Sequence, residues 1–198
     1  AHVDKTANLS DENKNKLERV GIDLSEETRS ASYVQVDNAA VEAEVKPNTP
    51  LVLMSTGAAA KKYPELVKKY WWKAVKPDAD KYTAITALEE EQGYFVWVQA
   101  GKKISVPLQA CVFIGHENQL QRVHNIVILE EGAELNIVSG CASSSEVTEG
   151  IHIGVTENYI GKDAKLSFTM IHSWGENVKA RPRSVTLVEE GGQYLSNY

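Results

Sequence analysis

A turn that recurs at nearly constant spacing is the feature that most constrains how this chain folds. The turn residues are Gly101, Gly132, Asp163 and Gly191, which are separated by 31, 31 and 28 residues. Each follows an apolar, strand-like segment and precedes another; the preceding segments are residues 95–98, 126–129, 151–155 and 185–188. Strand, tight turn and strand at this period are typical of a β-solenoid, in which each rung buries its apolar face against the next.

A β-sandwich is the alternative, but it gives no reason for the same turn to recur in the same place. We therefore predict a mainly β chain that forms a parallel β-helix. The last repeat, residues 184–198, finishes on a strand without a polar cap. Because an uncapped solenoid exposes its core and its strand edges, either a second copy covers this end or, as we expect, the chain is part of a longer protein.

The first part of the chain has a different pattern, and we predict a small α/β region over 1–82, followed by the β-helix core over 83–198. Residues 1–30 are polar and predict a flexible, loosely packed arm with at most a short helix. A helix is predicted over about 58–75, with a proline in its first turn, because apolar residues there fall on one stripe. These residues are Tyr63, Leu66, Val67, Tyr70, Trp71 and Ala74.

The charge balance argues against a nucleic-acid partner. The chain has 21 lysines and arginines against 27 aspartates and glutamates, a net charge of −6, whereas phosphate binding needs a basic stripe. The densest basic cluster, Lys61, Lys62, Lys68 and Lys69, is typical of a solvated helix face. We find no window near the ~20 apolar residues of a membrane-spanning helix and no leader. Only two cysteines occur, so we predict a reduced, cytoplasmic protein.

Cys141 is the strongest candidate for chemistry. It lies between Gly140 and Ala142 at the end of a strand, where small neighbours let another backbone or a cluster approach the thiol. Such a thiol is a candidate sulfur acceptor or metal ligand. The structural alternative is a buried free cysteine that fills a rung. For Cys111, within an apolar strand, packing in the core is the favoured interpretation.

Other side chains offer no competing site, and no catalytic residue is predicted. The chain has five histidines: His2, His116, His124, His152 and His172. None shows the spacing of common metal sites, and we interpret His152 and His172 as hydrogen-bonded surface or turn residues. No phosphate-binding glycine loop occurs, so we expect no nucleotide to bind. Acid pairs at 130–131 and 189–190 leave a β-helix carbohydrate-active enzyme as a remote alternative, since adjacent turn acids are usually solvated.

Several phrases follow one another in a specific order between residues 80 and 181. They are Asp80-Lys81-Tyr82-Thr83-Ala84, Tyr94-Phe95-Val96-Trp97-Val98, Glu117-Asn118 with Gln121, Gly140-Cys141-Ala142, and Ile171-His172-Ser173-Trp174. In this order they resemble the SufB/SufD family of iron–sulfur cluster assembly scaffold proteins. Cys141 falls on that family's β-helix cysteine, and His152 follows at about the expected distance.

The resemblance implies a right-handed parallel β-helix that is a non-catalytic scaffold component of the SUF-type assembly machinery. It implies partnership with a SufC-type ABC ATPase and with a second SufB/SufD-like subunit, without nucleic acid or membrane. Cys141 would receive sulfur or hold a transient iron–sulfur cluster, with His152 in support. A structural SufD-like partner without cluster chemistry is the alternative.

Three departures from the family pattern limit what can be carried over. Ser143 replaces the usual proline after the cysteine motif. The family's Arg and Asn in an earlier rung fall on Phe113 and Gly115. The family's later rungs and its C-terminal helical region, which docks the ATPase, would lie beyond Tyr198.

Overall fold

The computed structural model describes residues 10–25, 27–88 and 92–198, so His2 lies outside the described residues. Its elements, in chain order, are α1 (Asp11–Arg19), β1 (Ala31–Val36), β2 (Ala39–Val45), β3 (Leu51–Ser55), α2 (Thr56–Lys62), α3 (Pro64–Tyr70), α4 (Lys81–Ala87), β4 (Tyr94–Val98), β5 (Leu108–Ile114), β6 (Gln119–Leu129), β7 (Glu134–Ser143), β8 (Glu149–Ile160), β9 (Lys165–Ser173), β10 (Asn177–Val188) and β11 (Gln193–Asn197).

The strands form two sheets that face each other. Sheet A has the order β11-β9-β7-β5-β1-β2, and sheet B has the order β10-β8-β6-β4-β3. Neighbouring strands are parallel, except for the antiparallel pairs β1–β2 and β3–β4. From β4 onward the chain alternates between the sheets and coils into a β-solenoid of about 3 turns, with a small α/β region at its N-terminal side. The predicted fold class is confirmed, whereas the division at residue 82 stays a prediction.

The recurring turn is the same backbone structure in every rung. Gly101, Gly132, Asp163 and Gly191 have φ angles of 70°, 68°, 56° and 71°. Glycine adopts this left-handed conformation without strain, and aspartate tolerates it better than most residues. The turns also hydrogen-bond to one another, because the amide of Gly101 donates to the carbonyl of Glu131 at 2.8 Å and the equivalent bonds follow in the next rungs. The predicted repeat is therefore confirmed.

The main core lies between the two sheets. Inward side chains stack in ladders along the solenoid; for example, Leu108 pairs with Ile137 on the next strand, and Ile137 pairs with Phe168 on the one after. All three are almost fully buried. At the N-terminal end, the rings of Tyr33 and Tyr94 close the core in an edge-to-face contact at 5.6 Å. Burial of stacked apolar ladders is what holds the rungs together.

Helix α1 packs on the outer face of sheet A. Ser10 caps its first turn by accepting a hydrogen bond from the amide of Asn13. Leu17 and Val20 are fully buried against Phe113 and its neighbours in sheet A. The loose packing that we predicted for the first thirty residues is therefore wrong around α1, because Leu17 within the helix and Val20 at its C-cap are buried against the sheet.

The contact of α1 with sheet A depends on Gly140. A Cβ atom at this position would lie 2.7 Å from the carbonyl oxygen of Val20, closer than real side chains approach a backbone. We expect Gly140→Ala to lower the free energy of unfolding by about 1–3 kcal/mol, because α1 must shift. Gly150→Ala is the control, since its nearest neighbours would lie 3.6 Å away. Urea unfolding measures both variants; equal stability would contradict this account of the packing.

The helix predicted over 58–75 is two helices. The helix is interrupted at Tyr63, which has φ −129° and ψ 55°, because proline disfavours the helical conformation in the residue that precedes it. Pro64 then begins α3 at its first turn. Ala59 of α2 and Val67 of α3 pack on the outer face of sheet B. Among the helices of the described ranges, none combines the length and the apolar character needed to cross a bilayer.

Candidate functional site

Cys141 lies inside the solenoid. It is 3% exposed on β7, packed among Val112, Val123 and Trp174. Its neighbours Gly140 and Ala142 face the other way, toward the segment at the end of α1. Their small size therefore makes room for that backbone, on the side of sheet A opposite the thiol.

The thiol of Cys141 faces a cavity of about 280 Å³ between the two sheets. The cavity's polar lining includes Asn125, Ser139, Cys141, His152, Thr156 and His172, and a thioether comes from Met170. Aspartate, glutamate, lysine and arginine are absent from this lining, all of which lies in the described part of the chain. An environment without full charges suits an uncharged occupant better than an isolated ion.

Burial controls the protonation of the thiols. It raises the pKa of Cys141 to about 12, although a hydrogen bond with Ser139 opposes the rise. The Cys141 side chain is therefore a neutral thiol at physiological pH. Cys111 is also free and fully buried, and burial raises its pKa well above 9.0. It packs beside Leu17 on the outer face of sheet A, which agrees with the prediction that Cys111 is a core residue.

His152 projects into the same cavity. It is 6% exposed, its Nδ1 lies 2.8 Å from Oε1 of Gln121, and its ring lies 5.0 Å from that of Trp174. Burial, and secondarily the neighbouring His172, lower its pKa to about 3, so the imidazole is neutral. Our interpretation of His152 as a surface or turn residue is wrong. From His152 onward both faces of β8 are buried, so alternation with Ile153 and Val155 does not identify a solvent side.

His172 is the cross-strand neighbour of Cys141. The two residues pair directly between β7 and β9, and both line the cavity. His172 is exposed, as predicted, but it also lies near Trp174, with 5.9 Å between the rings. Partial burial lowers its pKa. Sequence reasoning missed this pairing, although the signal was present: Cys141 and His172 are 31 residues apart, as are Gln121 and His152.

The assignment of Cys141 as a metal ligand stays a prediction. Within residues 10–25, 27–88 and 92–198, no three or more histidine, cysteine, aspartate or glutamate side chains are grouped so that they could hold a metal ion. Cys141 has two imidazoles in its cavity but no carboxylate. The possible ligand atoms in the cavity are therefore a neutral thiol and imidazole nitrogens.

A second buried polar cluster lies on the outer face of sheet B, and sequence reasoning missed it. The carboxylate of Glu157 is fully buried and lies 2.7 Å from Nε2 of His124. It also accepts hydrogen bonds from the amides of Trp72, Ala74 and Val75 at 3.0, 2.6 and 2.8 Å. Burial raises its pKa, but the hydrogen bonds outweigh burial and the net pKa is lowered. Glu157 therefore anchors the segment after α3 to the solenoid wall.

The fold and the site together define a class of protein: a two-sheet β-solenoid whose interior holds a neutral cysteine in an uncharged cavity. Comparison with protein-family models then identifies the family of this chain. Residues 25–110 match the SufBD protein N-terminal region, and residues 112–197 match the SufBD core domain of the SUF system of FeS cluster assembly. The chain belongs to the SufBD family of iron–sulfur cluster assembly proteins.

Curated relatives carry the same family description. A SufBD family protein of Archaeoglobus fulgidus is 44% identical over 185 residues, which cover 93% of this chain and 49% of the relative. One of Methanothermobacter thermautotrophicus (strain Winter) is 43% identical over 186 residues, covering 92% and 45%. One of Staphylococcus haemolyticus is 31% identical over 191 residues, covering 93% and 40%. The chain thus spans about half the length of these relatives.

Proposed function

We propose that this protein is a non-catalytic, cytoplasmic scaffold component of the SUF-type machinery and that Cys141 is its sulfur acceptor. The observation that carries the proposal is the position of the thiol: Cys141 faces a cavity that lies between the two sheets and has no aspartate, glutamate, lysine or arginine in its lining. Membership of the SufBD family supports the assignment of this site to the SUF system of iron–sulfur cluster assembly. His152, in the same cavity, would support the bound sulfur.

The chemical step is the transfer of one sulfur atom from a persulfide on a partner. The resting thiol of Cys141 is neutral, so it gives up its proton as its sulfur attacks the outer sulfur of the donor persulfide; one S–S bond forms as the donor's S–S bond breaks. The proton of Cys141 ends on the departing donor thiolate. The products are a hydropersulfide on Cys141 and a donor thiol, and the exchange needs no external oxidant or reductant.

The remaining parts of the machinery are proposed from the family. A SufC-type ABC ATPase and a second SufB/SufD-like subunit would be the partners, and an iron–sulfur cluster would be the transient product. Because the chain spans about half the length of its relatives, the ATPase contact would lie in the other half. The absence of acidic and thiolate groups beside Cys141 favours sulfur acceptance over metal binding at this position.

Cys141→Ser is expected to abolish sulfur uptake by the intact protein. After anaerobic incubation with a small-molecule persulfide, the native protein should gain the mass of one sulfur atom, and cyanide should release that sulfur. Cys111→Ser is the matched control, since Cys111 is equally buried but faces the outer side of sheet A. Equal uptake by the Cys141→Ser variant and the native protein would refute the assignment.

Iron–sulfide reconstitution, measured by visible absorbance and bound iron, distinguishes a cluster scaffold from the second candidate function, a structural partner without cluster chemistry. A structural SufD-like partner would develop the same absorbance in the native protein and in Cys141→Ser. Absorbance that depends on Cys141 would favour a cluster scaffold.

A further inference from the structure

The side-chain amide of Gln121 has a fixed orientation. Gln121 is fully buried on β6, and its Nε2 lies 2.7 Å from the carbonyl oxygen of Asp37 and 3.0 Å from that of Phe113. Both partners only accept hydrogen bonds, so the NH₂ group must face them. The amide oxygen, Oε1, is then left as the group that faces His152.

This orientation selects one tautomer of His152. Oε1 of Gln121 only accepts, so the Nδ1 of His152 at 2.8 Å must carry the proton. A neutral imidazole has a single N–H group, and Nε2 therefore presents a lone pair. The low pKa of His152 keeps a second proton off this nitrogen at physiological pH.

Nε2 of His152 lies beside Gly154, and both residues line the cavity. A Cβ atom at position 154 would lie only 2.9 Å from Nε2, so the imidazole occupies space that is free because residue 154 is glycine. Gly154, His152 and Cys141 line the same cavity. Among the hydrogen bonds between described residues, none uses Nε2 of His152. Nε2 of His152 is also absent from the buried polar atoms that lack a partner among the described residues, so it is an acceptor that a ligand or water in the cavity can reach.

We propose that the Gln121–His152 pair is a specificity device that accepts a hydrogen bond from the S–H group of a hydropersulfide on Cys141. The inference rests on the proposed function and deepens it, since it names an uncharged sulfur cargo for this cavity. The thiol supplies the covalent attachment, and Nε2 of His152 accepts from the outer S–H. Ferrous iron does not match the cavity, because no carboxylate there would balance its charge. Gln121 acts as a positioning residue through the tautomer of His152.

Nitrogen NMR of the ¹⁵N-histidine-labelled intact protein tests the pair directly. At neutral pH the Nδ1 of His152 should be protonated and Nε2 should not, and loading with glutathione persulfide should shift the Nε2 resonance. Ferrous iron added alone, without oxygen, should leave that resonance unbroadened. Gln121→Leu should lose the fixed tautomer, whereas the exposed control His116→Gln should keep it.

Retention of the bound sulfur is the second readout. His152→Phe keeps an aromatic ring but removes the acceptor, and we expect it to speed release of sulfur by cyanide about fivefold, the effect of one lost hydrogen bond. His116→Gln should release sulfur at the native rate. If His152→Phe is folded and releases sulfur at the native rate, the inference is overturned.

The outcomes separate the two proposals. Sulfur uptake without a change at Nε2 means that water alone occupies the acceptor, and then only the inference fails. Broadening of the His152 signals by ferrous iron would make the cavity an iron site and would also refute the inference. Failure of the native protein to take up any sulfur refutes the proposed function, and the inference falls with it.

Discussion

Glu157→Gln is expected to lower the free energy of unfolding by about 3 kcal/mol, because an amide cannot accept all the hydrogen bonds that hold this buried carboxylate. The carboxylate accepts hydrogen bonds from three backbone amides and from Tyr159, and it also pairs with His124. An amide of the same shape has only one acceptor oxygen, and its NH₂ group would face other donors. The substitution changes little volume, so the loss reports hydrogen bonding and charge.

Glu149→Gln on the same strand is the matched control, since Glu149 is exposed and its side chain forms no hydrogen bond with the residues that the structure describes. Its effect should stay within about 0.5 kcal/mol. Equilibrium unfolding in urea measures both variants, and the near-ultraviolet signal of Trp71 and Trp72 reports whether the segment after α3 detaches. Equal stabilities would mean that Glu157 does not anchor this segment.

Lowering the pH from 6.5 toward 3 is expected to destabilise the protein through His152. Folding lowers the pKa of His152 from 6.5 to about 3, so its neutral form contributes fully above pH 6.5, and the contribution is lost as the pH falls toward 3. At pH 4 the loss from this residue would be on the order of 3 kcal/mol. Cys141 and Gln121 also face the imidazole, and His172, whose pKa is lowered too, acts in the same direction.

His152→Phe isolates this contribution. Its stability should fall less steeply between pH 6.5 and 4 than that of the native protein, because phenylalanine takes up no proton. His116→Gln serves as the comparison, since His116 is exposed beside Asp37. Urea unfolding at several pH values measures the three proteins. Parallel curves for the native protein and His152→Phe would show that burial does not control this histidine.

The fold could be predicted because its signal is repeated. Gly101, Gly132 and Gly191 mark a turn that needs a positive φ angle, and each copy of the turn strengthens the prediction from the others. The helix at 58–75 had no such repetition. Its apolar stripe was correct, but the steric effect of Pro64 on Tyr63 divided it.

The candidate site was predicted only in part. Cys141 stood out because of its small neighbours, but those neighbours serve the packing of the α1 segment. His152 was misplaced because alternation along a strand cannot distinguish two buried faces. Glu157 gave no signal, since its main partners are backbone amides 82 to 85 residues away in the chain. Contacts of that kind depend on tertiary structure and leave no pattern in the sequence.

The stacked rungs have an evolutionary consequence. Strand register places Cys141 beside His172 and Gln121 beside His152. The number of residues between such neighbours can vary, because Cys141 is 31 residues from His172 but 29 from Val112, its neighbour on the other side. Insertions in the connections between strands would leave these neighbours together, whereas the loss of one residue within β8 before His152 would turn its side chain to the opposite face. Related proteins should therefore differ in loop length far more freely than in strand phase.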